Sequence, residues 1–200
     1  MEIQTQPLAV RFFHWIMVIC IIILTFTGLY IYSPMLEIRL SMRFVRIAHH
    51  SAGIILLVNS IGQLYYYMAN GNYKEVLFLP GDVRNMRSFF RYSLFITERH
   101  PNFGRYNPGQ KLIFTSWWLM VAMAGCAGIV MQFPDHAYSV FFQRWVMELQ
   151  TLRMTFLLIT AYFVATIPLH LYLVFTESPA NLQAMFTGYV QKESKGQQEK

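Results

Sequence analysis

The chain has 200 residues, 55% of them hydrophobic and 16% aromatic, with only 13% charged and a formal net charge of +6. A typical soluble domain carries roughly 25% charged residues, so an ordinary water-soluble globule is excluded, and no nucleic-acid partner is expected. Four apolar stretches, near 9–33, 45–69, 110–133 and 152–176, are each long enough to cross a hydrocarbon core of about 30 Å, which takes about 20 helical residues.

The first stretch begins with Arg11 ahead of an apolar run, as a secretory signal would. The run is too long, contains His14 and Trp15, and has no small-x-small cleavage site, so it reads as a membrane helix. Cys20 and Cys126 sit inside apolar spans, where a disulfide is not expected. The second stretch carries His49, His50 and Gly53. Between the second and third lies a long loop, 70–109, in which "GDVRNMRSFFRYSLFI" (81–96) reads as a helix with Asp82 as cap candidate. Its Arg84, Arg87 and Arg91 share a face, as expected for a helix lying on the membrane surface; docking to a soluble partner is the alternative. The third stretch opens with "GRYNPGQKLIF" (104–114), turn formers followed by a lysine at the lip of an apolar helix. The fourth ends with Pro168, expected to kink the helix end, and His170. The polar segment 191–200 reads as a tail.

Basic residues favour the cytoplasmic side. Lys74, Arg84, Arg87, Arg91, Arg99 and Arg105 fall in the long loop with Lys111 just beyond, and Lys192, Lys195 and Lys200 in the tail. The loop 134–151 has only Arg144, and 34–44 has Arg39 and Arg43. The expectation is an all-α integral membrane four-helix bundle with both termini and the long loop inside, spanning residues 1–190.

Of the six histidines, His100 and His136 fall in loops. His14, His49, His50 and His170 lie in spans, where an ionisable side chain is costly and marks a functional candidate. A neutral histidine hydrogen-bonded between helices is the plainer explanation for any one of them. In the expected topology His14 and His170 reach a common depth near the inner face, and two neutral imidazoles from facing helices suit the axial pair of a b-type haem in a bundle interior. Zinc requires three or four ligands at one level, and only two are found. Gly28 lies on the face of His14, about 21 Å further along, and Gly53 one turn after His49. The two glycines are expected to meet near the outer face, either as small-residue helix packing or to make room for a second cofactor.

The stretches "VRFFHW" (10–15), "GLYI" (28–31), "RIAHHSAGI" (46–54), "RYNPGQKLIF" (105–114) and "HLYLVF" (170–175) resemble those of the cytochrome b subunits that anchor nickel–iron hydrogenases and respiratory formate dehydrogenases in bacterial membranes. "NGNYKEVLFLP" (70–80) and "MFTGYVQK" (185–192) are similar to the hydrogenase branch, and "YNPGQK" to the formate dehydrogenase branch. The resemblance implies two haems: an inner one held by His14 and His170, and an outer one with His49 as one ligand and Gly28 and Gly53 giving room. The other outer ligand should stand at Phe156, which cannot bind iron. One haem b is therefore expected and a second is left open, with Met154, His136 or a partner subunit as substitute ligands. The resemblance also implies a quinone pocket at the start of the third helix. Asn107, Gln110 and the Gly109 backbone N–H are donors for quinone carbonyls, and Lys111 favours an anionic intermediate. A helix start with a snorkelling lysine is the plainer alternative.

The function expected is a membrane-anchoring cytochrome b in the bacterial or archaeal cytoplasmic membrane. It exchanges electrons between an iron–sulfur subunit of a hydrogenase or dehydrogenase, with its catalytic subunit, and menaquinone or ubiquinone. Reverse flow in a reductase, a haem-free anchor, and a transporter with histidine proton relays are the rivals. The near-absence of Asp and Glu in the spans counts against the transporter.

Overall fold

The apolar stretches fold as α1 (Leu8–Tyr32), α2 (Met42–Ala69), α5 (Pro108–Gln132) and α7 (Leu149–Glu177), close to the expected spans. The computed structural model describes residues 2–4, 6–33, 39–94, 96–97, 103–177 and 179–191; His100 and the tail from Lys192 lie outside them. Among the described residues these four helices are long and apolar enough to cross a membrane. α1 packs on α2 and α7, and α5 packs on the same two, so the bundle closes in the order α1, α2, α5, α7. Outward-facing side chains such as Ile22, Ile54, Val58, Leu119 and Leu158 are exposed, as a lipid-facing surface requires. The centre is filled by a cluster that includes Cys20, Leu56, Trp117, Val121, Ile159 and Phe163. The chain is thus an all-α, multi-pass membrane protein.

The connections are more ordered than their composition suggests. α3 (Tyr73–Val76) and α4 (Pro80–Ser93) occupy the long loop, α6 (Ala137–Trp145) the loop before α7, and α8 (Pro179–Thr187) follows α7. α4 starts one step earlier than expected. Pro80 is its first residue, where the missing N–H is harmless, and Leu79 is the cap. Asp82 is therefore not the cap but a first-turn residue, accepting a hydrogen bond at Oδ2 from the Leu79 N–H at 2.9 Å. Arg84, Arg87 and Arg91 are exposed, while Phe89 is buried against the bundle. α7 runs on through Pro168, which leaves the Val164 carbonyl without its helical donor.

The first and last described strands meet. β1 (Glu2–Gln4) pairs antiparallel with β2 (Tyr189–Gln191), Glu2 opposite Gln191, so Gln191 belongs to a ladder and not to the tail. Gly188, at φ +89°, ends α8 in the left-handed conformation and donates its N–H to the Ala184 carbonyl at 2.8 Å. The Arg11 guanidinium donates to the carbonyls of Met185 (3.3 Å), Phe186 and Thr187, and the Trp15 indole to that of Met185 at 3.2 Å. A cation and an indole thus cap the last carbonyls of α8 and hold it across the mouth of the bundle.

Candidate functional site

His14 on α1 and His170 on α7 come together at the end of the bundle that carries α8. Both line one narrow cavity of about 50 Å³, whose walls include Met17, Gln63, Tyr67, Trp118 and Met185. The His170 ring stands edge-on to Trp117 (5.2 Å between centroids) and Phe114 (5.8 Å). Its Nδ1 is buried without a hydrogen-bond partner among the described residues. A neutral imidazole has one donor and one acceptor nitrogen, so in an apolar wall this ring is under-satisfied until something binds it. Among the described residues no three His, Cys, Asp or Glu side chains cluster, so a metal is offered two imidazoles here. A wider groove of about 560 Å³ near α6 is open to the surface, and no histidine lines it.

His49 lies at the other level. Its Nδ1 is 2.8 Å from Thr27 Oγ1 on α1. A Cβ at Gly28 would sit 3.6 Å from His49 Cε1 and 3.5 Å from Thr160 Oγ1 on α7. Gly28 therefore marks the point where three helices converge on one imidazole. Gly53 does not meet Gly28: a Cβ there would touch Leu24, at 3.9 Å. Phe156 packs with Ala127, Val130 and Leu152 in an apolar cluster, and its ring tip is 3.9 Å from the Cβ position of Gly128. His50 and Met154 are exposed. His136 is exposed too, its ring 4.5 Å from Tyr138 at the start of α6, and does not enter the bundle.

The polar lip of α5 is built as a helix start. Asn107 Oδ1 accepts from the Gln110 N–H at 2.8 Å, and Gln110 Oε1 accepts from the Asn107 N–H at 3.2 Å, a reciprocal capping box. Gly109 is needed for packing, since a Cβ there would lie 2.6 Å from the Phe89 ring. Lys111 Nζ donates to Asp82 Oδ1 at 3.0 Å and to the Lys74 carbonyl at 3.1 Å. The oxygens of both amides thus serve the cap, and the lysine charge is paired.

Sequence reasoning missed the polar stripe of α2. Asn59, Ser60 and Gln63 are buried in the bundle. Asn59 Nδ2 donates to the Phe13 carbonyl at 3.0 Å, whereas Asn59 Oδ1, Ser60 Oγ and Gln63 Oε1 have no partner among the described residues. The signal was present: polar residues one turn apart within an apolar span fall on one face.

A family model described as prokaryotic cytochrome b561 matches residues 5–188. The "Probable Ni/Fe-hydrogenase 1 B-type cytochrome subunit" of Escherichia coli is 25% identical over 153 residues, an alignment covering 70% of this chain and 64% of that protein. The "Probable Ni/Fe-hydrogenase B-type cytochrome subunit" of Rhodobacter capsulatus is 25% identical over 60% of this chain and 55% of its own length. Its namesake in Cupriavidus necator is 27% identical over 50% of this chain and 45% of its own length. The chain spans less than two thirds of the length of these relatives. The family match covers most of the chain, which belongs to that family.

Proposed function

We propose that this chain, as a member of the prokaryotic cytochrome b561 family, is the membrane-anchoring b-type cytochrome subunit of a hydrogenase, passing electrons between an iron–sulfur subunit of that complex and the quinone pool. Membership of the family implies haem b. The names of the relatives favour hydrogenase over formate dehydrogenase as the donor complex. The observation that carries the reading is the pair His14 and His170 on one cavity, with His170 Nδ1 buried and unpartnered.

The donor set fits the group. His14 and His170, from adjacent helices, would supply the iron with imidazole nitrogens, and aromatic rings line the walls. At about 50 Å³ the cavity is narrower than a porphyrin, so lining side chains must swing aside. Met17 and Met185 are unbranched and adapt at low cost. Bound haem supplies a one-electron relay. Trp117 and Phe114 pack against the His170 ring, and Met185 of α8, whose carbonyl Arg11 and Trp15 hold, forms part of the cavity wall.

We place both termini, α4 and the start of α5 on the cytoplasmic side, because Lys74, Arg84, Arg87, Arg91, Arg105 and Lys111 gather at that end. The quinone headgroup is proposed beside the first turn of α5, near Asn107, Gly109, Gln110 and Lys111. There the Lys111 ammonium is ion-paired with Asp82, so the headgroup would meet a hydrogen-bonding lip rather than a free positive charge. His49, with Gly28 and Gly53 on the faces around it, remains the candidate for an outer haem.

Haem per polypeptide in the purified complex, measured by pyridine haemochrome, tests the proposal. His14→Ala and His170→Ala are each expected to remove the same haem. Wild-type protein without haem would leave a purely structural anchor.

A further inference from the structure

Of the four spanning helices, α4 packs mainly on α5, so it lies against one flank of the bundle and not across its mouth. Asp82 is bonded to Lys111 at 3.0 Å, and a Cβ at Gly109 would lie 2.6 Å from the Phe89 ring. The Phe78 N–H, just ahead of α4, donates to Thr115 Oγ1 at 2.8 Å. α4 is therefore fixed beside the start of α5. The 25 residues of α5 rise roughly 37 Å at 1.5 Å each, more than a hydrocarbon core of about 30 Å, so its first turn stands at the level of the lipid headgroups. At about 100° per residue the side chains of α4 fall into four sectors. Asp82, Met86 and Phe89 face the bundle. Arg84, Arg87 and Arg91 stand on the opposite side, exposed and without an ion pair among the described residues. Val83, Phe90 and Leu94 form a row about a quarter-turn from the bundle face, and are 59%, 52% and 64% exposed. Asn85, Ser88 and Tyr92 lie opposite that row.

We propose that α4 is a site for anionic phospholipid, with Val83, Phe90 and Leu94 set into the acyl boundary and the three arginines holding headgroup phosphates beside the bundle. An apolar row more than half exposed is unfavourable in water and favourable in hydrocarbon, and a helix fixed at headgroup depth has hydrocarbon on one side only. Turning the row to that side sends Asn85, Ser88 and Tyr92 to the water and lays the arginines sideways in the headgroup layer. A guanidinium presents a planar fork of N–H donors to phosphate oxygens. Arg105 and Lys111, at the same end of the bundle, are engaged by Glu75 and Asp82, whereas the charge of the α4 row is left for an outside anion. A soluble protein arriving from the water would meet the neutral sector and reach neither the apolar row nor the arginines in full. The proposal goes beyond the haem reading and does not depend on it.

The test places the intact complex in lipid nanodiscs, of phosphatidylcholine alone or mixed in equal parts with phosphatidylglycerol, and reads hydrogen exchange over residues 80–94. Phosphatidylglycerol is expected to slow exchange at least about fivefold, the contribution of a single arginine at an anionic surface, and high salt to reverse the slowing. Arg84→Gln/Arg87→Gln/Arg91→Gln should exchange alike in both lipids. Equal exchange of the wild-type protein in the two lipids overturns the proposal; protection that is already complete in phosphatidylcholine would assign α4 to a protein partner instead. Slowing by inorganic phosphate in phosphatidylcholine overturns it too, since the row would then take a free anion. So does a lipid response that persists in the triple variant. Should that variant fail to assemble, Arg87→Gln takes its place, with an expected loss of about fivefold, and an unchanged lipid response there overturns the proposal.

Discussion

Lys111, in the first turn of α5, reaches Asp82, in the first turn of α4, with Nζ 3.0 Å from Oδ1 and both side chains 13% exposed. The pair ties the surface helix to the bundle, and Asp82 Oδ2 simultaneously accepts the Leu79 N–H. Pairs of this kind matter mostly when one partner is removed and the other is left buried. Lys111→Met is expected to cost about 1–3 kcal/mol, and the double variant Lys111→Met/Asp82→Leu less than the sum of the single changes. Thermal unfolding in detergent checks this; additive losses would show that the two residues act separately.

Gly109 gives a sharper steric prediction. A methyl group there would lie 2.6 Å from Phe89 Cζ and 2.7 Å from Cε1, closer than real Cβ contacts allow. Gly109→Ala should destabilise the protein by about 1–3 kcal/mol through overpacking, and Phe89→Leu in the same chain should relieve part of it. A neutral Gly109→Ala variant would mean that α4 rides loosely on α5.

The spans, and the meeting of His14 and His170 on one cavity, could be read from the sequence because each rests on local information: runs of about 20 apolar residues, and two histidines at matching depth on helices of opposite direction. The clasp of β1 on β2 could not, since Glu2 and Gln191 are at opposite ends of the chain and three residues per strand carry too weak a period. The Asn107–Gln110 box is the reverse case. Its spacing of three is a helix-start signal, but donors at a membrane lip suit a quinone equally well, and only the geometry assigns their oxygens to the cap. Asp82 shows the usual uncertainty of helix boundaries, because Pro80 starts the helix before it.

His50 and His136 test the choice of histidines. Both are exposed, and His50 sits next to His49 with rings 6.5 Å apart, so sequence position alone does not separate them. His50→Ala and His136→Ala should leave haem per chain and the spectra unchanged. Loss of haem on either change would move the outer ligand away from His49.

Arg11 is expected to be irreplaceable by lysine. Its planar guanidinium donates to three successive carbonyls, Met185, Phe186 and Thr187, a fork that an ammonium cannot reproduce. Both Arg11→Ala and Arg11→Lys should release α8, seen as faster hydrogen exchange over residues 179–191. Because Met185 lines the histidine cavity, the same variants should make the haem more accessible to a water-soluble reductant. Equal exchange in wild type and Arg11→Lys would show that charge alone holds α8.

Gln63 lines the histidine cavity and is 5% exposed, with no partner for Oε1 among the described residues. A buried oxygen without a donor contributes desolvation cost and no hydrogen bond, roughly 1–3 kcal/mol against the fold. An apolar side chain of similar size should therefore be tolerated. Gln63→Leu is expected to leave thermal stability unchanged or raised, although polar residues inside a membrane span ordinarily read as functional. Tyr67, one turn further along α2, also lines the cavity and serves as the control, since Tyr67→Leu removes a large packed ring and should destabilise. If Gln63→Leu instead lowers stability by more than about 1 kcal/mol, the amide oxygen is partnered in the membrane. In that case its donor would be sought among the groups on the cavity wall, His14 and His170 first.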